Sequence, residues 1–361
     1  MSIIIDIFRS GGRQIEAIAA ILVLLSAGMA SATEPVADPP QTTSRPLAQP
    51  LARPLARPLI TALADAAAAD GPLAEPGIVF AQAMPNHAEL SSRCVVLIPG
   101  LLAREQSMAA LLAPLESKQY VTGMLRYSSH QGIKSAAELL AAQLRSLKTS
   151  HPQCQVALVT HSMGGLVARH CLEHPATNPG NVSDLIMIAP PNHGSAVAGL
   201  SAAQLVTSFS PFHLDGAAGA QTLDEVMAGL VGNPLEELKI DSPLLGELNA
   251  CPRAAGVRYT VIAGSGGPVS RGLVGASLLL GELLVAEDPQ TKAALKSARS
   301  LAGLDEWTQG RGDGVVSIQS AKLDGVGEIV VLPFAHNDFG DRTSKATGEV
   351  VAEVLKRLEP R

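Results

Sequence analysis

The sequence predicts an α/β fold, a mostly parallel sheet of about six strands with helices on both faces. Two patterns carry that expectation. From residue 94 onward, apolar runs of strand length alternate with amphipathic stretches of helical period, as in a parallel sheet covered on both sides. Within that stretch, residues 156–165 (VALVTHSMGG) read as a strand, a tight turn and a helix, with Ser162 at the turn.

Composition sets the outer bounds. The chain has 361 residues, of which 47% are hydrophobic and 17% charged, enough apolar material for one large core. A single α/β domain of about 250 residues is ordinary, so length alone does not require two. The net charge of -6 and the lack of a Lys/Arg cluster argue against nucleic acid as a partner.

Residues 1–32 read as a targeting segment. Arg9 and Arg13 precede an apolar run over 17–25, and Ala30, Ser31 and Ala32 fit a small-residue cleavage site. Asp6 and Glu16 weaken the positive start, which leaves an uncleaved inner-membrane anchor as the alternative, although the run is short of the roughly 20 residues that span a bilayer. Secretion or a periplasmic location follows from the first reading. From Pro46 a four-residue repeat places proline at 46, 50, 54 and 58, which removes backbone donors and blocks regular helix. Residues 33–75 are therefore expected to be linker, with a proline-rich docking site as the alternative, and residues 76–361 the folded domain.

The expected strands are 94–98, 120–127, 155–160, 184–188, 257–263 and 328–332. Helices are expected over 106–117, from Ser135 onward, after the Ser162 turn, and over 344–358. Ser135 and Glu138 have the spacing of a capping box, with Leu140, Leu144 and Leu147 following on one face. The last helix should bury Val351, Val354, Leu355 and Leu358. Two intervals, 191–250 and 265–311, exceed ordinary connections and are expected to hold helical insertions that cover a site as a lid. Within them, 196–209, 224–231 and 273–286 have helical character; for the last, a buried helix is the competing reading.

A serine at a sharp strand-to-helix turn suits nucleophilic hydrolysis, which also needs a general base, a carboxylate to orient that base, and backbone donors for an oxyanion. The turn fits the pattern G-x-S-x-G except that Thr160 stands at its first position. Asp313 lies among glycines after the fifth expected strand, and His336 follows the sixth by four residues. The chain order serine, aspartate, histidine separates this arrangement from those of the chymotrypsin and subtilisin folds.

Four segments in matching order, Pro99-Gly100-Leu101-Leu102, His161-Ser162-Met163-Gly164-Gly165, the 189–195 turn APPNHGS and Asp313-Gly314-Val315-Val316, resemble the α/β-hydrolase superfamily, and within it bacterial lipases and esterases. The resemblance spans about residues 93–358. It implies Ser162 as nucleophile, His336 as general base and acid, Asp313 as the orienting carboxylate, and the backbone N–H groups of Leu101 and Met163 as oxyanion donors. Pro99 and Thr160 depart from the family pattern, where histidine and glycine are usual. The implied substrate is a small-molecule ester or lipid, with transient contact to a lipid interface. The same machinery would serve a thioesterase or acyltransferase, and a non-catalytic envelope protein could retain the fold.

Rival assignments remain at this stage. His161 and His193 lie near the motifs; Asp305, Asp324 and Asp338 compete with Asp313. No cofactor is expected, but Asp338, two residues beyond the histidine, matches an aspartate that binds structural Ca²⁺ in some related lipases. Of the four cysteines, Cys94 and Cys154 precede strands that are neighbours in this family and are the candidate disulfide. Cys171 and Cys251 would make a weaker second pair.

Overall fold

The computed structural model describes residues 75–80, 94–101, 105–199, 233–267, 304–336, 338 and 344–359. The targeting segment 1–32, nearly all of the linker, and the helical stretches 224–231 and 273–286 lie outside the described residues, as does most of 196–209. Among the described residues no helix is long and apolar enough to cross a membrane.

Among the described residues the sheet has seven strands, the six expected and one more at an edge. In chain order they are β1 (Gly77–Phe80), β2 (Cys94–Ile98), β3 (Val121–Arg126), β4 (Val156–His161), β5 (Val182–Ile188), β6 (Arg258–Gly264) and β7 (Ile329–Leu332). They lie in the order β1-β3-β2-β4-β5-β6-β7. All pairings are parallel except β1 with β3, which places an antiparallel strand at one edge.

The central strands bury both faces, which is why they read as unbroken apolar runs. On β2, Cys94, Val96 and Ile98 point to one side and Val95 and Leu97 to the other, following the period of two. The first side packs against α2 (Gly132–Ser150) and α3 (Met163–Glu173). The second packs against the segment over 105–117, ending in α1 (Leu112–Ser117), and against the last helix, Lys345–Leu358. Leu140 and Leu144 of α2 are wholly buried. Truncating either to alanine is expected to cost about 2–5 kcal/mol, the price of a core cavity.

Local expectations were corrected at three places. The helix expected over 106–117 is a 3-10 segment, Glu105–Leu111, before α1 begins. The capping box at Ser135 and Glu138 does not form, because α2 starts earlier at Gly132 and has no side-chain cap from its own N-cap residue. Its orphan donor at Ile133 is instead met by Glu237 at 2.8 Å, a carboxylate from α4 (Asn233–Leu238). In the last helix Thr347, Val350, Val354 and Leu358 form the buried face, while Val351 and Leu355 are only half-buried. The remaining helices are α5 (Pro243–Ala250), α6 (Ile318–Ala321) and, last in order, α7 (Lys345–Leu358).

Cys94, opposite Val156 in the sheet register, and Cys154, two residues before it, are both buried and are free thiols, not a bridge. The neighbouring Cys154 thiol, and then burial, push the Cys94 thiol far up. Cys171 and Cys251 are also free thiols.

Candidate active site

The site is built at the carboxyl ends of β2, β4, β6 and β7. At the end of β4 the chain turns so sharply that Ser162 has φ 53° and ψ -127°, a backbone state that costs a non-glycine residue about 1–3 kcal/mol. Backbone bonds hold the turn: the Ser162 N–H donates to the Ile188 carbonyl at 2.9 Å, and the Gly165 N–H donates to the Ser162 carbonyl at 2.9 Å.

Two glycines make room for it. A Cβ on Gly164 would lie 2.5 Å from the Ile98 oxygen and 2.6 Å from the Pro99 oxygen, so only glycine lets α3 start this close to the end of β2. A Cβ on Gly100 would lie 2.9 Å from the Ser162 Cβ. The Gly100–Leu101 peptide therefore passes directly beside the serine, and Met163, the first residue of α3, follows it. The N–H groups at a helix start have no intrahelical partner, so Met163 carries a donor and the positive end of the helix dipole at the serine.

Thr160 is wholly buried at the position where the motif expects glycine. A Cβ on Gly165 would stand 3.3 Å from the Thr160 hydroxyl and 3.1 Å from Pro190, so the bare Gly165 makes space for the threonine. The elbow keeps its strained geometry with the bulk moved from one neighbour to the other.

His336 lies on the loop after β7. Its Nε2 is 3.0 Å from the Ser162 hydroxyl and its Nδ1 2.8 Å from the Asp313 Oδ2. Its backbone N–H donates to the Asp313 carbonyl at 2.8 Å, so ring and main chain are both referred to the same residue. Asp313 is 1% exposed, and its other oxygen, Oδ1, accepts the N–H groups of Val315 at 2.9 Å and Val316 at 2.8 Å. Gly264, at the end of β6, leaves the space for this carboxylate: a Cβ there would lie 2.6 Å from the Asp313 Cβ. With the carboxylate facing Nδ1, the proton of a neutral imidazole sits on Nδ1 and the Nε2 lone pair faces the serine.

The other candidates are placed elsewhere. Asp305 pairs with Arg311 at 2.8 Å and Asp324 is exposed. The Asp338 carboxylate accepts the Ala335 N–H at 3.0 Å, closing the turn that carries His336. No group of three His, Cys, Asp or Glu that could hold a metal lies among the described residues. His193 belongs to the 189–195 turn, its N–H donating to Ser320. His161 is buried, its ring 4.8 Å from that of His336 between centroids.

Sequence reasoning missed three supporting groups. The Tyr127 hydroxyl, buried at the end of β3, donates to the Pro99 carbonyl at 2.7 Å and so holds the strand end that leads to Leu101. Arg169, on α3, is fully buried; it forks onto Glu173, with Nε and Nη2 each 3.1 Å from a carboxylate oxygen, and bonds Asn192 at 3.1 Å and the Leu248 carbonyl at 3.2 Å. Burial pulls the guanidinium down and pushes the Glu173 carboxyl up, while their mutual contact opposes both shifts. The network fixes α3, and with it the elbow, to the 189–195 turn and α5. Its sequence signal was the spacing of arginine and glutamate four apart, a pattern more common on a solvated helix face.

Residues 119–210 match the family described as the PGAP1-like alpha/beta domain. No curated protein matches the sequence. Among solved structures, the fold is similar to the lipase BlEst2 of Bacillus licheniformis. In its propeptide form that lipase is 18% identical, covers 80% of this chain and 55% of its own, and gives a TM-score of 0.51. In its mature form it is again 18% identical, covers 79% of this chain and 99% of its own, and scores 0.49. The phospholipase PlaB of Legionella pneumophila, at 18% identity, covers 74% of this chain and 60% of its own, with a TM-score of 0.48. The elbow, the predominantly parallel sheet and the similar solved fold agree: the chain has an α/β-hydrolase-like fold.

Proposed function

We propose that the protein is a serine hydrolase of carboxylic esters, with lipid-like acyl esters as its substrate class. The observation that carries the proposal is His336, held by Asp313 on one ring nitrogen and aimed at the Ser162 hydroxyl by the other, 2.8 Å and 3.0 Å away. In the first step Nε2 takes the Ser162 proton as Oγ bonds to the ester carbonyl carbon, and the Leu101 and Met163 N–H groups receive the oxyanion. Collapse breaks the bond to the alcohol, which leaves with the proton from Nε2. Water then attacks the acyl-serine by the same route, its proton passing through His336, and releases the acid. Asp313 stays ionised and stabilises the imidazolium in both halves.

The acyl-lipid preference is supported by the two long insertions in the sequence and by the lipase among the similar folds. The leader at 1–32 supports export from the cytoplasm. A fluorophosphonate probe tests the core of the reading: Ser162 becomes labelled in the folded protein, and labelling disappears in Ser162→Ala. Folded wild-type protein that resists the probe would sink it. Hydrolysis of p-nitrophenyl esters of rising chain length, with and without a lipid interface, tests the substrate class; rates that fall steadily with chain length would overturn the lipid assignment.

A further inference from the structure

We propose that His161, the residue before the serine, is a positioning residue for the base, tethering the loop that carries His336 to the strand that carries Ser162. This rests on the serine hydrolase reading above. His161 ends β4 and shares a peptide bond with Ser162. Its Nε2–H donates to the backbone carbonyl of His336 at 3.2 Å, joining residues 175 apart in sequence. Its ring also lies against the His336 ring, tilted by 42° at a centroid separation of 4.8 Å.

The main chain of His336 is therefore held from both sides. Its N–H is fixed to the Asp313 carbonyl at 2.8 Å, and its C=O is fixed by His161. Without the second bond the main chain of His336 itself would be held by Asp313 alone; the loop's other described ties lie on its neighbours, Phe334 to Gly266 and Leu332, and Ala335 to Asp338. The distance from Nε2 to the serine oxygen would then depend on two separate strands, β4 and β7, that are not neighbours in the sheet. The His161 bond refers one directly to the other at the point of reaction. A misplacement of about 1 Å between reacting groups costs about 100-fold in rate.

A buried histidine that only filled space would need neither this donor nor this direction. Charge is consistent with the same role. Burial, and secondarily the neighbouring His336, pull the His161 pKa down to about 3. The ring thus remains neutral beside a base that must become an imidazolium during turnover, and opposes it with no like charge.

Three variants separate positioning from packing. His161→Phe keeps a ring and loses the donor, His161→Asn keeps a donor too short to reach, and His161→Gln keeps a donor of similar reach. With a soluble p-nitrophenyl ester, kcat is expected to fall about 10- to 100-fold in Phe and Asn. KM should change little, and Gln should recover most of the loss. The downfield Nδ1–H proton resonance of His336 should broaden in Phe and Asn and stay sharp in Gln. Unchanged kcat in Phe and Asn overturns the inference, and so does an equal loss in all three, which marks a packing role. Should Phe not fold, Asn against Gln gives the same decision. A wild-type protein that the fluorophosphonate probe does not label overturns the hydrolase reading itself; a labelled wild type with indifferent variants overturns the inference alone.

Discussion

Asp313 divides its two carboxylate oxygens between His336 and its own backbone turn: Oδ2 faces Nδ1 at 2.8 Å, while Oδ1 takes the N–H groups of Val315 and Val316. One oxygen serves the base and the other serves the fold, so the two roles can be separated by a single substitution. In Asp313→Asn the amide oxygen can keep the Val315 and Val316 bonds while the NH₂ group meets Nδ1, forcing the wrong tautomer on His336. Turnover is expected to fall by about 10⁴, with thermal unfolding close to that of the wild type. Near-normal turnover would mean that another group orients His336.

The bond from Tyr127 to Pro99 supports the oxyanion side in the same indirect way. Tyr127→Phe removes only the hydroxyl and leaves the Pro99 carbonyl without that donor, a change of about 1–3 kcal/mol when the acceptor is buried. A lower kcat with KM held is expected, along with slower labelling by a fluorophosphonate, whose phosphoryl oxygen must occupy the same donors. A rise in KM at constant kcat would assign Tyr127 to substrate binding instead.

Acid should destabilise the protein through His161. The unfolded chain takes up a proton there near pH 6.5 and the folded chain only near pH 3, so between these values the unfolded state binds more protons. Stability from this group is complete above pH 6.5 and falls as pH drops towards 3, at a slope approaching about 1.4 kcal/mol per pH unit. Denaturant unfolding across that window should give a flatter acid limb in His161→Gln than in the wild type. Parallel limbs would show that His161 does not control the transition.

Cys94 and Cys154, two buried free thiols at the entrance of the paired strands β2 and β4, predict a redox response. In a glutathione buffer poised to oxidise, the two thiols should exchange with the oxidised disulfide and join, with two electrons passing to glutathione. Closing a loop of that length stabilises a chain by about 4 kcal/mol in the chain-entropy picture. Peptide mapping without reductant should recover the Cys94–Cys154 cross-link, together with a raised Tm. If both cysteines still alkylate fully after unfolding the treated protein, the pair is ordinary core.

The elbow and its partners were legible because glycine punctuates them and chain order constrains them. Ser162 and His336 each follow closely on an apolar run that reads as a strand, while Asp313, beyond the second insertion, is marked by the glycines on either side of it and by its place between the other two in chain order. What escaped was held by contacts remote in sequence. β1 is only four residues long and needs β3 to define it. The start of α2 is set by Glu237, about a hundred residues downstream, so no local cap marked it. Arg169 and Glu173 looked like a surface pair, since nothing local says that Asn192, Leu248 and Arg253 will enclose them. The buried face of α7 was displaced by one residue, from Val351 to Val350, because a helix so rich in valine offers two adjacent stripes of similar hydrophobicity.

The two long insertions leave and rejoin the domain at points already fastened to each other. Ser195, shortly before the first departs, pairs with Lys239 shortly after it returns; Gly267, at the exit of the second, donates to Gly312 beyond its return, and the Ala196 N–H reaches Glu306 across the two. Each insertion is thus a cassette on a closed socket. Shortening or exchanging residues 200–232 or 268–303 leaves the ends of the break already held together, so descendants of this chain could change what these insertions carry without rebuilding the elbow, the carboxylate or the base.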